Sequence, residues 1–354
     1  MTAPRALRLR AGAEAYREIR AHGFDPALVQ TLVGASGGAK WLVLSQLDRV
    51  LIRRFIAERS AALHLIGSSV GAWRFACYAR RDPLAAIERF ENAYIEQRYS
   101  AQPSSTEVSA RSREILDALL VEGGVDEILS HPYLLLHVLA ARCRGLTATG
   151  EQRLLLAVLG VAAAANALDR RLLGAFFVRT LFHDARARPP FGDPHSLATE
   201  HVVLTTGNLV DCIVASGAIP LVLDGVRDIA GASPGVYRDG GIIDYHFDAA
   251  LADEGRIALY PHFYGHVAPG WFDKHWPSRR ARPRSLERVL LVHPSEEFIA
   301  ALPHGRLPDR RDFIRLNDAD RIRSWRSVIE RCRRLGDELE AALDGALAAR
   351  VEPL

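Results

Sequence analysis

Two segments of this 354-residue chain carry the pattern G-x-S-x-G: Gly34-Ala35-Ser36-Gly37-Gly38 and Gly67-Ser68-Ser69-Val70-Gly71. That spacing suits a sharp strand-to-helix turn that lifts a serine hydroxyl above a sheet, with small residues either side so that the turn can be tight. The chemistry on offer is nucleophilic attack on an acyl group, which also needs backbone N–H groups aimed at the oxyanion of the tetrahedral intermediate. Consecutive glycines at a helix start supply such donors with no side chains in the way. Gly37-Gly38-Ala39 has that composition, whereas the elbow at Ser69 continues with Val70. The economical assignment makes Ser69 the nucleophile, Gly37, Gly38 and Ala39 the oxyanion hole, and Gly67 and Gly71 the shapers of the elbow. The competing assignment makes Ser36 the nucleophile. A phosphate-loop reading of GASGGAK fails on spacing, because Trp41 follows Lys40 where such a loop needs Ser or Thr.

A serine at neutral pH needs a general base. Of the 13 histidines, His183, His195, His246, His262, His266 and His293 all stay open as the third member of a Ser-His-Asp arrangement. The more distinctive acid is Asp239, in VYRDGGIIDY, where it precedes two glycines and stands beside an apolar pair. Burial can raise a carboxylate into the range of a working base, and small neighbours let a serine come close. Read alone, Asp-Gly-Gly is equally a β-turn.

The elements that must position these groups read as βα units. Leu28–Val33 is a strand candidate ending in the first glycine loop, and KWLVLSQLDRVLIRRFIAER follows with Leu44, Leu47, Leu51 and Phe55 on one helical face. Leu63–Ile66 is a second strand, running into GSSVG and the helix candidate AWRFACYA. A parallel pair joined by one right-handed crossover puts both loops at the same edge of the sheet, where α/β proteins place their sites. Residues 84–182 read as a helical insertion or cap. Strand-like runs return at His201–Thr206, Arg227–Ala230 and Arg288–His293, followed by an amphipathic helix after Arg321. The expected architecture is a single α/β domain over residues 1–354, with residues 285–354 as a C-terminal strand and helix extension.

Composition excludes several classes. Lys+Arg 45 against Asp+Glu 42 leaves +3, too little to argue for nucleic acid as a partner. Only Lys40 and Lys274 are lysine, the other 43 basic residues being arginine. The four cysteines form no CxxC pair and the acids form no EF-hand loop, so neither a metal nor another cofactor is expected. The start shows no apolar signal region, and Leu154–Leu168 is too short to span a bilayer, which suits a cytoplasmic protein. That run reads as a buried helix or one over an apolar cavity, and FFVRTLF as core or as the wall of an acyl channel. WFDKHWPSRRARPR, residues 271–284, mixes aromatics with arginines in a way that suits peripheral contact with an anionic lipid surface, or a plain solvated loop.

Taken together, GASGGAKW, GSSVG and DGG, in that order, resemble the glycine-rich loop, nucleophile elbow and Asp-Gly-Gly motif of the patatin-like phospholipase family. The segment TGNLVDCIVASGAIPLVLDGV is similar to the stretch that precedes the family's catalytic Asp. The resemblance covers roughly residues 28–248. It implies a three-layer α/β/α fold with a central, mostly parallel sheet, and a Ser69–Asp239 dyad with Gly37, Gly38 and Ala39 as oxyanion donors, no histidine being needed. It further implies hydrolysis of fatty-acyl esters of lipids through an acyl-enzyme, with no metal. Three departures stand out: Ser36 where the family has glycine, Trp41 where a glycine usually closes the loop, and Asp244-Tyr245-His246 in place of Asn-x-Pro. Ser36 could add a hydroxyl to the oxyanion hole or cap the helix, and Lys40 could act on anionic substrates. The same serine would serve an acyltransferase, and the altered loop leaves room for a non-catalytic lipid-binding protein.

Overall fold

The computed structural model describes residues 5–57 and 59–354; Met1 to Pro4, and Glu58 within the first helix candidate, lie outside the described residues. Eleven strands form one sheet: β1 (Leu7–Ala11), β2 (Val29–Gly34), β3 (Leu63–Ser68), β4 (Leu134–Cys143), β5 (Phe177–His183), β6 (Thr199–Val203), β7 (Val226–Arg227), β8 (Val236–Asp239), β9 (Ile257–Pro261), β10 (Val289–Pro294) and β11 (Glu352–Pro353). The main path runs β11-β1-β10-β9-β2-β3-β4-β5-β6, with β8 paired to β4 and β7 to β8. From β10 through β9, β2 and β3 to β4 every pairing is parallel, and helices flank the sheet in a three-layer α/β/α arrangement.

The two serine loops are neighbours, as the crossover argument requires: β2 and β3 pair in parallel with Gly34 opposite Gly67. Both strands are largely buried on both faces, and apolar residues, Val29, Leu32 and Val33 in β2 and Leu63, Leu65 and Ile66 in β3, fill half of the positions in each. The helical segment after the first loop buries Leu44, Leu47, Leu51 and Phe55, the face expected from their spacing. It is tied to the helix Val70–Tyr78 after the second loop by a buried cluster in which Arg74 and Tyr78 donate to Asp48, with Arg74 Nε 2.9 Å and the Tyr78 hydroxyl 2.8 Å from it. Removing one partner of such a pair leaves a buried charge uncompensated, at about 3–5 kcal/mol.

Several expectations need correction. Residues 84–182 are not a purely helical cap, because β4 and all but the last residue of β5 lie inside that range and are part of the sheet, between β3 and β6. The run LLLHVLAARC lacks alternation because both faces of β4 are covered, and an unbroken apolar run does not distinguish strand from helix. FFVRTLF is likewise mostly β5. Nor is 285–354 an appended extension: β10 inserts between β1 and β9, and β11 pairs with β1. The expected strand over Arg227–Ala230 shrinks to Val226–Arg227, since Asp228 turns the chain at φ 51° and accepts from the Gly235 N–H. The apolar run Leu154–Leu168 lies in the helix Gln152–Leu168, which buries only one face, through Leu155, Leu159, Ala162 and Asn166. The opposite face is open, with Leu156 60% and Leu168 83% exposed. Among the described residues no helix is long and apolar enough to cross a membrane.

Candidate active site

The strand β4 is the rail on which the site is assembled. Its first residues pair in parallel with β3 as far as Ser68 opposite Leu139, and the next position, Ala140, pairs with Asp239 at the end of antiparallel β8. The carboxyl ends of β3 and β8 therefore meet head-on along one edge of β4, and the residues at that junction are Ser69 and Asp239. Ser69 Oγ donates to Asp239 Oδ2 at 2.7 Å. The Gly241 N–H holds the other carboxylate oxygen at 2.7 Å, which fixes the plane of the carboxyl group.

Ser69 stands at φ 53°, ψ −132°, a region that non-glycine residues rarely adopt, as a strained elbow demands. Its N–H donates to Ser216 Oγ at 2.8 Å, and Ser216 donates in turn to the Leu139 carbonyl at 2.6 Å. Ser216 lies in ASGAIP, so that segment holds the elbow onto β4. The elbow glycines are required by close approach. A Cβ on Gly71 would fall 2.0 Å from the Gly34 carbonyl oxygen, and one on Gly67 would fall 2.5 Å from the Ala72 nitrogen.

Burial raises the Asp239 carboxyl to about 6, against the lowering effect of the bonds from Ser69 and Gly241 and the charge of Arg310. A base with a value near neutrality is ionised at pH 7 and still able to hold a proton taken from serine. None of the histidines lines either cavity that adjoins Ser69. His195 pairs with Asp248 at 2.9 Å, while His183 and His293 each bond a neighbouring carbonyl. His262 and His246 accept backbone N–H groups, and His266 stacks on Tyr264.

Ser36, Gly37, Gly38 and Lys40 line the cavity at Ser69, whereas Ala39 is fully buried and does not. Gly38 adopts φ 53°, and a Cβ on Gly37 would strike the Phe263 ring at 2.5 Å, so the loop needs both glycines. The N–H groups that open a helix have no acceptor within it. That frees Gly38 at the start of Gly38–Leu44 and Val70 at the start of Val70–Tyr78 as oxyanion donors. Val70 received no role from composition, yet the N–H following a nucleophile serves whatever its side chain.

The hydroxyl of Ser36 donates to Ser68 Oγ at 3.0 Å, a neutral partner that could not take its proton as a carboxylate or imidazole would. It does not cap the helix, whose N-cap is Gly37 without a side-chain bond. Trp41 packs into the core against Phe90 with ring centroids 4.6 Å apart, filling the space behind the loop. The segment after DGG is built into the same support. Asp244 forms a buried ion pair with Arg179 at 2.7 Å, and the Tyr245 carbonyl accepts the Ser36 N–H at 2.9 Å. Lys40 pairs with Asp309 at 2.7 Å, and Arg310 and Lys274 line the same cavity. Among the described residues no group of three or more His, Cys, Asp or Glu could hold a metal ion. No protein-family model matches the chain, and no curated protein matches it significantly.

Proposed function

We propose that this protein is a serine acyl-ester hydrolase of the patatin-like kind, acting on fatty-acyl esters through a Ser69–Asp239 dyad. The observation that carries this reading is the 2.7 Å bond between Ser69 Oγ and a buried Asp239, at the point where a recess lined by cationic side chains meets an apolar groove. Asp239 takes the Ser69 proton as the hydroxyl oxygen attacks the ester carbonyl, and the N–H groups of Gly38 and Val70 hold the oxyanion. As the tetrahedral intermediate collapses, the proton passes to the departing alkoxide, leaving an acyl-enzyme. Water then adds with Asp239 as base, and release of the carboxylic acid restores the serine hydroxyl.

A fluorophosphonate probe followed by peptide mapping tests the reading. Adduct at Ser69 is the expected result; adduct at Ser36 overturns the assignment, and no adduct favours a non-catalytic lipid-binding protein. Product analysis with acyl acceptors present separates hydrolysis from acyl transfer.

Peripheral contact with an anionic membrane forms part of the same reading. The open face of the helix Gln152–Leu168 adjoins the aromatic-basic segment, because Arg279 donates to the carbonyls of Asn166 and Ala167 at the end of that helix. Trp276 is half exposed there, and along the helix and the segment Arg153, Arg171, Arg282 and Arg284 are exposed. Flotation with liposomes is expected to recover more protein when anionic lipid is present, and Leu156→Asp/Val161→Asp should cut recovery. Equal flotation with and without anionic lipid sinks the idea.

A further inference from the structure

Ser69 lies where two cavities meet. One is a groove of about 460 Å³ whose walls include Trp73, Phe90, Val108, Ile115, Val222 and Phe313. The other is a recess of about 120 Å³ whose walls carry three cationic side chains, Lys40, Lys274 and Arg310. Gly38, Ser69, Tyr94, Ile219 and Arg310 are common to both, so a bound molecule that reaches the nucleophile faces each of them.

The charges in the recess do not balance internally. Besides Asp239, the one carboxylate in its wall is Asp309, and Lys40 already holds it at 2.7 Å. The Lys274 ammonium has no ion pair among the described residues and rests over the Trp271 ring, 5.2 Å from its centroid. The Arg310 guanidinium makes no hydrogen bond or ion pair among the described residues. Lys274 is half-buried, and burial, followed by the charges of Arg310 and Lys40, lowers it to about 8. Lys40 and Lys274 are partly buried while Arg310 is exposed, and like charges on the wall of one recess are unfavourable until an anion enters between them. The one carboxylate there without a cation partner is Asp239, which Ser69 and the Gly241 N–H already bond, so the surplus positive charge favours an anionic head group over a zwitterionic or neutral one.

We propose that the recess binds the leaving group of the substrate and selects one bearing a terminal phosphate, Lys274 and Arg310 being the specificity-determining residues, while the acyl chain occupies the apolar groove. This rests on the reading of Ser69 as the acyl-accepting nucleophile. Lys274 and Arg310 lie beyond residue 248, outside the span of the motifs that suggest that reading. Cations facing a phosphate form charge-assisted bonds about twice as strong as neutral ones, a guanidinium engaging two oxygens at once.

The test compares oleoylglycerol 3-phosphate with oleoylglycerol, which share the acyl chain and the ester bond and differ only in the phosphate. Oleoylglycerophosphocholine is the zwitterionic control. The expected result is a kcat/KM at least tenfold higher for the phosphate ester than for either of the others. K274Q and R310Q should each pull that ratio toward one, and K274R and R310K should retain it. The ratio is the proper readout, because loss of the Arg310 charge also alters Asp239 and so affects every ester. A wild-type ratio near one, or a ratio indifferent to both glutamine variants, overturns the proposal. Calorimetric binding of the same compounds to S69A protein reads the recess without chemistry. Selective binding of the phosphate ester with no turnover by the wild type would sink the hydrolase reading and keep the recess. Turnover without selectivity would do the reverse.

Discussion

On the proposed dyad mechanism, Asp239→Asn is expected to abolish ester hydrolysis, and it should make the folded protein more stable above about pH 6. The amide oxygen accepts from Gly241 while the amide nitrogen faces Ser69 and donates to its hydroxyl oxygen, so the heavy-atom geometry is kept, but the side chain cannot take the serine proton. The expected loss in kcat is about four orders of magnitude or more, and Ser69→Ala should lose a similar amount, because residues that act as one unit are not additive. The gain in stability follows from the pKa. Burial raises the Asp239 carboxyl from an ordinary 3.8 to about 6. A carboxyl group whose folded value lies above its unfolded value is no burden below pH 3.8, where both states are protonated. Its cost grows through the interval and is complete above about pH 6. With each pH unit of that interval worth about 1.4 kcal/mol, the gain of the variant at pH 8 has an upper bound of about 3 kcal/mol. Denaturant unfolding of both proteins at pH 4 and pH 8 checks this; an equal difference at the two values would contradict it. On the same proposal, ester hydrolysis by the parent protein should fall as pH drops through about 6. In Arg310→Gln that limb should move to higher pH, because the arginine charge lowers the Asp239 value.

Gly71→Ala unfolds or severely destabilises the protein. The new Cβ would sit 2.0 Å from the Gly34 carbonyl oxygen and 2.3 Å from its carbon, and both contacts are backbone of the neighbouring β2 loop. No flexible side chain can yield, so the two glycine loops must separate. Overpacking of this kind typically costs about 1–3 kcal/mol, and this clash falls in the more severe class because backbone must move. Gly160→Ala is the control. It lies in the helix Gln152–Leu168 with open space around its Cβ position, and alanine there should stabilise by up to about 1 kcal/mol. Thermal unfolding of the two variants beside the parent protein is the measurement. A melting temperature for Gly71→Ala within a degree or two of the parent would show that the loops are not in contact.

Local pattern and elementary sterics were enough to place β2, β3, the helices behind them and the two glycine loops at one sheet edge. Each of those segments is contiguous, and each carries its own strand, turn and helix chemistry over a short stretch of chain. Ser69 and Asp239 could each be named as candidates in the same way, Ser69 beside Ser36 and Asp239 beside six histidines. The strand β4 was not, because its apolar run fits a buried helix as well as a strand and, unlike β2 and β3, it does not run into a G-x-S-x-G loop that marks it. Nor was the open face of the helix Gln152–Leu168, whose apolar residues surround the whole axis.

The distance between Ser69 and Asp239 belongs to the tertiary structure alone. Those residues are 170 positions apart, and they meet because β3 and β8 approach from opposite directions and end at adjacent positions on β4, a register that no local pattern encodes. Setting the six open histidines aside also needed the fold, since a side chain's reach depends on where its strand or loop is packed. The same holds for the cationic recess. Lys40 could be placed in the glycine loop from its neighbours in the chain, but Lys274 and Arg310 come from later loops, and only long-range packing brings their charges beside the serine. Residue types and short spacings thus determined what chemistry the chain could perform and where the loops would turn. Which groups act together was decided by strand register and burial, because hydrogen bonding and desolvation depend on ångström distances that sequence separation does not set.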